Sequence, residues 1–223
     1  MSSKPLHQQH KHTPTPIING PIYYQSPIDL QTDNISFKID QDISFKGRNK
    51  DAILEEDKTY NPQPDHPVFL TVDDRKYQLQ EYHFHTQKSE HAINGIKKDA
   101  ELHYVFTEMI NGEECKKDCN HHICDGHFDK NTNYLVIARL IRFKCGNGCI
   151  MNLNNLQLEL PDTYFECDGT LTANNTDIPN NYAPVRFIVG DRSIKICKKN
   201  FNESNSKTSR ALQELNNRII LHN

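Results

Sequence analysis

Residues 77–87 read YQLQEYHFHTQ, and residues 100–107 read AELHYVFT. Both runs alternate with a period of two, the mark of a β-strand whose two faces meet different surroundings. In the first run, alternation puts Leu79, Glu81, His83 and His85 on one face and Gln80, Tyr82 and Phe84 on the other. In the second it groups Glu101, His103 and Val105. Side chains two apart on a strand point the same way, so His83 and His85 can reach one metal ion. If the two strands pair antiparallel, His103 meets them across the ladder. Three imidazoles with a fourth position open are the donor set of a catalytic zinc site, whereas structural sites close all four positions. An H-x-H pair alone says little in a chain with 12 histidines. The acidic company adds weight. Glu81 and Glu101 each lie two residues from a candidate ligand and on its face, where a carboxylate can accept the second ring N–H and fix the tautomer.

Working outward, the order of several blocks carries a family resemblance. EYHFH (81–85), Ser89-Glu90-His91 and AELHYV (100–105) resemble the signature of the alpha-class carbonic anhydrases. QSPIDL (25–30), LPD (160–162), GTLT (169–172) and RALQELNNR (210–218) resemble further blocks of that family, in the same order. The resemblance covers about residues 20 to 221. It implies a mainly β fold, with a central, twisted, largely antiparallel sheet and few short helices. It also implies Zn²⁺ held by His83, His85 and His103, with Glu81 and Glu101 orienting two of them, and reversible hydration of CO₂ to bicarbonate and a proton. Thr172, hydrogen-bonded to Glu90, would aim the nucleophile, which is orientation rather than acid catalysis. Val105, Ile137, Leu171 and Phe187 would form an apolar wall for an apolar substrate, with Ala173 beside it.

The chain departs from the family pattern in places. It has no Trp, and Phe187 and Thr86 stand where the family has that residue. Glu81 replaces a usual Gln, which makes the metal site less positive. Ala173 replaces a second Thr. Reading residues 49–53 against the family places Asp51 where a proton-shuttling histidine is expected. None of these changes removes a ligand. A carbonic-anhydrase-like protein that recognises a partner without catalysis is the alternative, and the three retained histidines favour the enzyme.

At 223 residues the chain suits one large domain, residues 20–223, behind a polar tail at 1–19 that carries His7, His10 and His12. Lys and Arg number 26 against 29 Asp and Glu, a net charge of −3 that gives no reason to expect nucleic acid or an anionic membrane as partner. No apolar run is long enough to span a membrane, and the first residues lack the apolar core of a signal peptide, so an intracellular location is expected. The oligomeric state is not legible. An insert at 111–132 holds Cys115, Cys119, Cys124 and His127, whose spacing could bind a small structural zinc; free thiols and local disulfides are the competing readings. Residues 68–72, a turn at Asp73-Asp74 and the run from Lys76 read as a hairpin leading into the histidine strand. Near the end, Leu212, Leu215 and Ile219 are spaced like one helix face. The resemblance instead makes this run extended, with a strand at Ile219–Leu221, and that is the expectation adopted.

Overall fold

The computed structural model describes residues 25–35, 37–38, 43–46, 52–56, 58–109, 134–144, 158–171 and 184–223. Its frame is five long strands: β1 (Arg75–Thr86), β2 (Ala100–Glu108), β3 (Tyr134–Lys144), β4 (Tyr164–Thr170) and β5 (Pro184–Cys197). They lie in the order β4-β5-β3-β2-β1 within one sheet. Leu221–His222 and then Phe37–Lys38 extend it beyond β4, and Thr59–Asn61 and then Ile53–Leu54 extend it beyond β1. Phe69–Val72 also pairs with β1. Most pairings are antiparallel, as expected, but the β3–β5 pair at the middle of the sheet is parallel. The helical pieces among the described residues are three-residue 3₁₀ turns.

Alternation along the long strands sorts the core into two clusters, one on each face. Tyr82, Phe84, Leu102, Tyr104, Phe106 and Ile137 belong to the first. Val105, Val136, Ala138, Phe165, Phe187 and Val189 belong to the second. Tyr82 and Phe84 of β1 and Tyr104 and Phe106 of β2 are almost wholly buried, and each contributes about 1.5–3 kcal/mol of transfer free energy. Tyr60, from the neighbouring short strand, stacks on Tyr82 with ring centroids 4.9 Å apart. Aromatic weight on that face leaves the other face of the same strands free to carry polar groups.

One feature of β1 departs from simple alternation. Val105 opposes Glu81, but the next residue, Phe106, opposes Leu79, so Gln80 is an extra residue in β1. This is a β-bulge, which flips the side-chain sequence beyond it. Leu79 therefore joins the aromatic cluster instead of the histidine face. Gln80 Nε2 donates to Thr107 Oγ1 at 2.8 Å.

The hairpin into β1 is present: Asp73 (φ 49°) and Asp74 (φ 64°) are both left-handed, the geometry of the tight turn that matches strand twist. The C-terminal run is extended, with a turn at Asn216-Asn217 and a strand at Leu221–His222 paired with Phe165 and Glu166. Leu212 and Ile219 are exposed, so their helical spacing has no face to bury. Asp51, Thr172, Ala173, and Cys115, Cys119, Cys124 and His127 of the insert lie outside the described residues. Cys167 and Cys197 are buried free thiols, and burial pushes the Cys167 thiol up to about 12. No helix among the described residues is long and apolar enough to cross a membrane.

Candidate metal centre

The antiparallel register of β1 and β2 sets His83 opposite His103 and His85 opposite Glu101, so three imidazoles share one patch of one face. All three are buried. One ligand nitrogen from each lies within 4.8 Å of the others. His83 Nδ1 meets Glu81 Oε1 at 2.8 Å, and His85 Nδ1 meets the carbonyl oxygen of Thr208 at 3.2 Å. Both partners can only accept, so both Nδ1 atoms carry the hydrogen and both Nε2 atoms carry a lone pair. Those two Nε2 atoms are 3.1 Å apart, and Glu90 Oε2 is 3.5 Å from that of His85. Two lone pairs and a carboxylate oxygen facing one another repel unless a proton or a cation lies among them. His103 turns Nε2 to Glu101 Oε1 at 2.9 Å, which leaves Nδ1 as its free donor atom. The donor set therefore fits a divalent ion of zinc's ligand preference: three neutral imidazoles, each fixed in tautomer by a second partner.

Glu101 is buried completely and accepts from three donors. Besides His103, these are the His91 backbone N–H and His91 Nδ1, each at 2.7 Å. Burial alone would raise its pKa, but the charge of His91 and the hydrogen bonds from His103 and His91 win, holding the carboxyl well below its usual range. Burial pulls His103 down, yet the hydrogen bond and charge of Glu101 prevail and raise it above an ordinary imidazole. Burial, with the neighbouring His103 and His83, holds His85 well below the imidazole range. Burial raises Glu81, against the opposing charges of Lys207 and His103.

These shifts give a testable pH dependence. His85 is held neutral by its burial, while Glu101 makes His103 keep a proton to a higher pH than an ordinary imidazole. A metal must displace that proton, so zinc affinity should fall about tenfold per pH unit below the raised pKa of His103 and flatten above it. Calorimetric titration with zinc in two buffers of different ionisation enthalpy should show at least one proton released per ion in that window. Zinc uptake there without proton release would mean that His103 is not a ligand.

The remaining groups hold this patch in place. Ser89 Oγ donates to the His91 carbonyl at 2.6 Å and accepts from the Lys98 N–H at 2.9 Å. Glu90 Oε1 accepts the Arg210 backbone N–H at 2.8 Å, and the Arg210 guanidinium donates to the Ser26 carbonyl and to Gln25 Oε1. Arg218 donates to the carbonyls of Gln25 and Asp168. Residues far apart in sequence are thus tied behind the histidines. At Gly169 the chain passes so close to Ser26 that a Cβ there would collide with its Oγ.

The expected substrate wall needs one correction. Val105 lies on the histidine side, and its partner across the β2–β3 ladder is Val136. Ile137 pairs with Tyr104 and belongs to the opposite, aromatic cluster, because a one-residue step along a strand changes face. Phe187 is buried, with its ring centroid 6.1 Å from that of His103, and Leu171 packs against the same cluster. The roles of two supports emerge only from the tertiary structure. The Thr208 carbonyl acts through the backbone, visible only once Lys207–Thr208 is paired with His85–Thr86. His91 could be placed in a motif, but its bond to Glu101 depends on the chain folding back across ten residues.

Among curated protein sequences none matches the chain significantly. Solved structures do match in fold. A hyperthermostable carbonic anhydrase identified from an active hydrothermal vent chimney aligns with TM-score 0.64 and 22% identity, covering 90% of this chain and 87% of that one. A carbonic anhydrase from Dunaliella salina aligns with TM-score 0.58 and 17% identity over 90% and 88% of the two chains. Dioscorin, in a structure complexed with ascorbate, aligns with TM-score 0.64 and 19% identity over 89% and 85%. The family model of the eukaryotic-type carbonic anhydrases matches residues 11–223, and the chain belongs to that family.

Proposed function

We propose that the protein catalyses the reversible hydration of CO₂ to bicarbonate and a proton, with zinc held by His83, His85 and His103. The observation that carries this reading is the convergence of two lone-pair-bearing Nε2 atoms, 3.1 Å apart, beside the Glu90 carboxylate. When bound, zinc supplies the positive charge that makes water a nucleophile near neutral pH. The chain's own part is to bind and orient. Glu81, the Thr208 carbonyl and Glu101 fix the three rings, so that no reorganisation is needed when charge develops. Glu90, anchored by the Arg210 N–H, offers its other oxygen to the site, where Thr172 would meet it. Val105, Val136 and Phe187, buried in one cluster on the histidine side, would exclude water where apolar CO₂ would sit.

Stopped-flow CO₂ hydration by the zinc-loaded protein, with and without an aromatic sulfonamide, tests the proposal. A zinc-dependent rate abolished by the sulfonamide is expected. Zinc-loaded protein with no rate above the metal-free form would leave the fold as a binding scaffold.

Proton export is expected to limit turnover. Beside His83, β1 pairs with Thr59–Asn61, which sets buried Thr59 opposite His83 and carries no imidazole. Asp51, in the shuttle place by resemblance, has a reference pKa of ~3.9 and would accept a proton poorly from water activated near pH 7. Adding imidazole buffer at constant pH should therefore raise kcat and leave kcat/KM unchanged. A kcat that is high and indifferent to buffer would mean that another group moves the proton.

A further inference from the structure

Lys207–Thr208 runs parallel to the end of β1, with Lys207 paired to His85 and Thr208 to Thr86. Thr208 turns its carbonyl to His85. Lys207 reaches along the face instead, and its Nζ lies 3.9 Å from Glu81 Oε1. That oxygen is the one His83 Nδ1 meets at 2.8 Å. An ammonium, a carboxylate and an imidazole thus stand in a row that ends on the Nε2 facing the other histidines. The Lys207 and Glu81 side chains are 28% and 27% exposed, so the pair sits at the rim, where an ion pair stabilises a fold little. Its interest lies in where it ends.

A carboxylate that accepts the far N–H of a ligating imidazole makes that ring a stronger donor and the metal less positive. A cation on the same oxygen draws charge the other way. We propose that Lys207 is a positioning residue of the metal centre, which acts through Glu81 to limit the donor strength of His83 and so keep the centre electrophilic. This rests on the zinc reading above. Glu81 and Lys207 then work as one unit: the carboxylate fixes the tautomer of His83, and the ammonium offsets the negative charge that this orientation brings to the ring.

The test is a double-mutant cycle on zinc affinity, measured by chelator competition on Lys207→Met, Glu81→Gln and the double variant. Lys207→Met should tighten zinc binding by about three- to tenfold, a modest share of the 10–100-fold range typical of outer partners of a metal ligand. Glu81→Gln should weaken it. In the Glu81→Gln background Lys207→Met should change affinity less than about twofold, since the carboxylate through which it acts is gone. Lys207→Arg, which keeps the charge, should behave like the wild type. Weaker zinc binding in Lys207→Met would assign the lysine a purely structural role and overturn the proposal. An equal effect with and without Glu81 would also overturn it, because the cation would then act on the metal directly. Wild-type protein that binds no zinc would overturn the zinc reading and this inference together, whereas tight wild-type binding with no effect of Lys207→Met would overturn this inference alone.

Discussion

His103→Ala is expected to lose bound zinc and CO₂ hydration together. In the proposed centre three imidazoles form the donor set, and removing one would leave a two-nitrogen site on β1 alone. Loss of a mere outer partner typically costs about 10–100-fold in metal affinity, and losing a ligand should exceed that. The variant also removes one of the three donors to Glu101, a completely buried carboxylate. His85→Ala is therefore the companion variant: its Nδ1 bonds a backbone carbonyl, so its removal leaves Glu101 with all three of its donors. Metal content by mass spectrometry and the stopped-flow rate should fall in both. Wild-type zinc content and rate in His103→Ala would show that the ion sits elsewhere.

Glu90→Gln is the second change of large expected effect, and it should separate orientation from metal binding. One oxygen of Glu90 accepts the Arg210 N–H, and an amide oxygen can take its place, so the link to the C-terminal run survives. The other oxygen, 3.5 Å from His85 Nε2, faces the centre. An NH₂ there donates where a carboxylate accepts, and it would scramble the hydrogen bond that the resemblance assigns to Thr172. Zinc should stay in place while the hydration rate drops by roughly two orders of magnitude, the size of losing one oriented polar contact in an active site. Thr172→Ala should give a similar loss with zinc retained. Unchanged kinetics in both variants would mean that GTLT (169–172) does not deliver its threonine to this site.

Alternation along YQLQEYHFHTQ and AELHYVFT put His83 and His85 on one face with Glu81, and grouped His103 with Glu101, because strand geometry fixes which side chains of a strand share a face. That the two groups meet rests on the antiparallel register of β1 and β2. The ordered blocks around them pointed to the family, and the contacts of Arg210 and Arg218 with Gln25, Ser26, Glu90 and Asp168 show why those blocks belong together: they clamp the back of the histidine patch. Tertiary structure decided what periodicity cannot carry. Leu79 leaves the histidine face because Gln80 is bulged, and a bulge depends on the partner strand as much as on its own residues. Val136 rather than Ile137 stands beside Val105; Tyr134 to Ala138 are apolar and buried throughout, so periodicity gives no sign of which residue takes which face and only the pairing with β2 shows it. The Thr208 carbonyl and the Lys207 ammonium reach the centre from more than a hundred residues away, through a two-residue parallel strand. A backbone acceptor has no side-chain signature, and a rim lysine reads as a solvated charge until the chain has closed around β1.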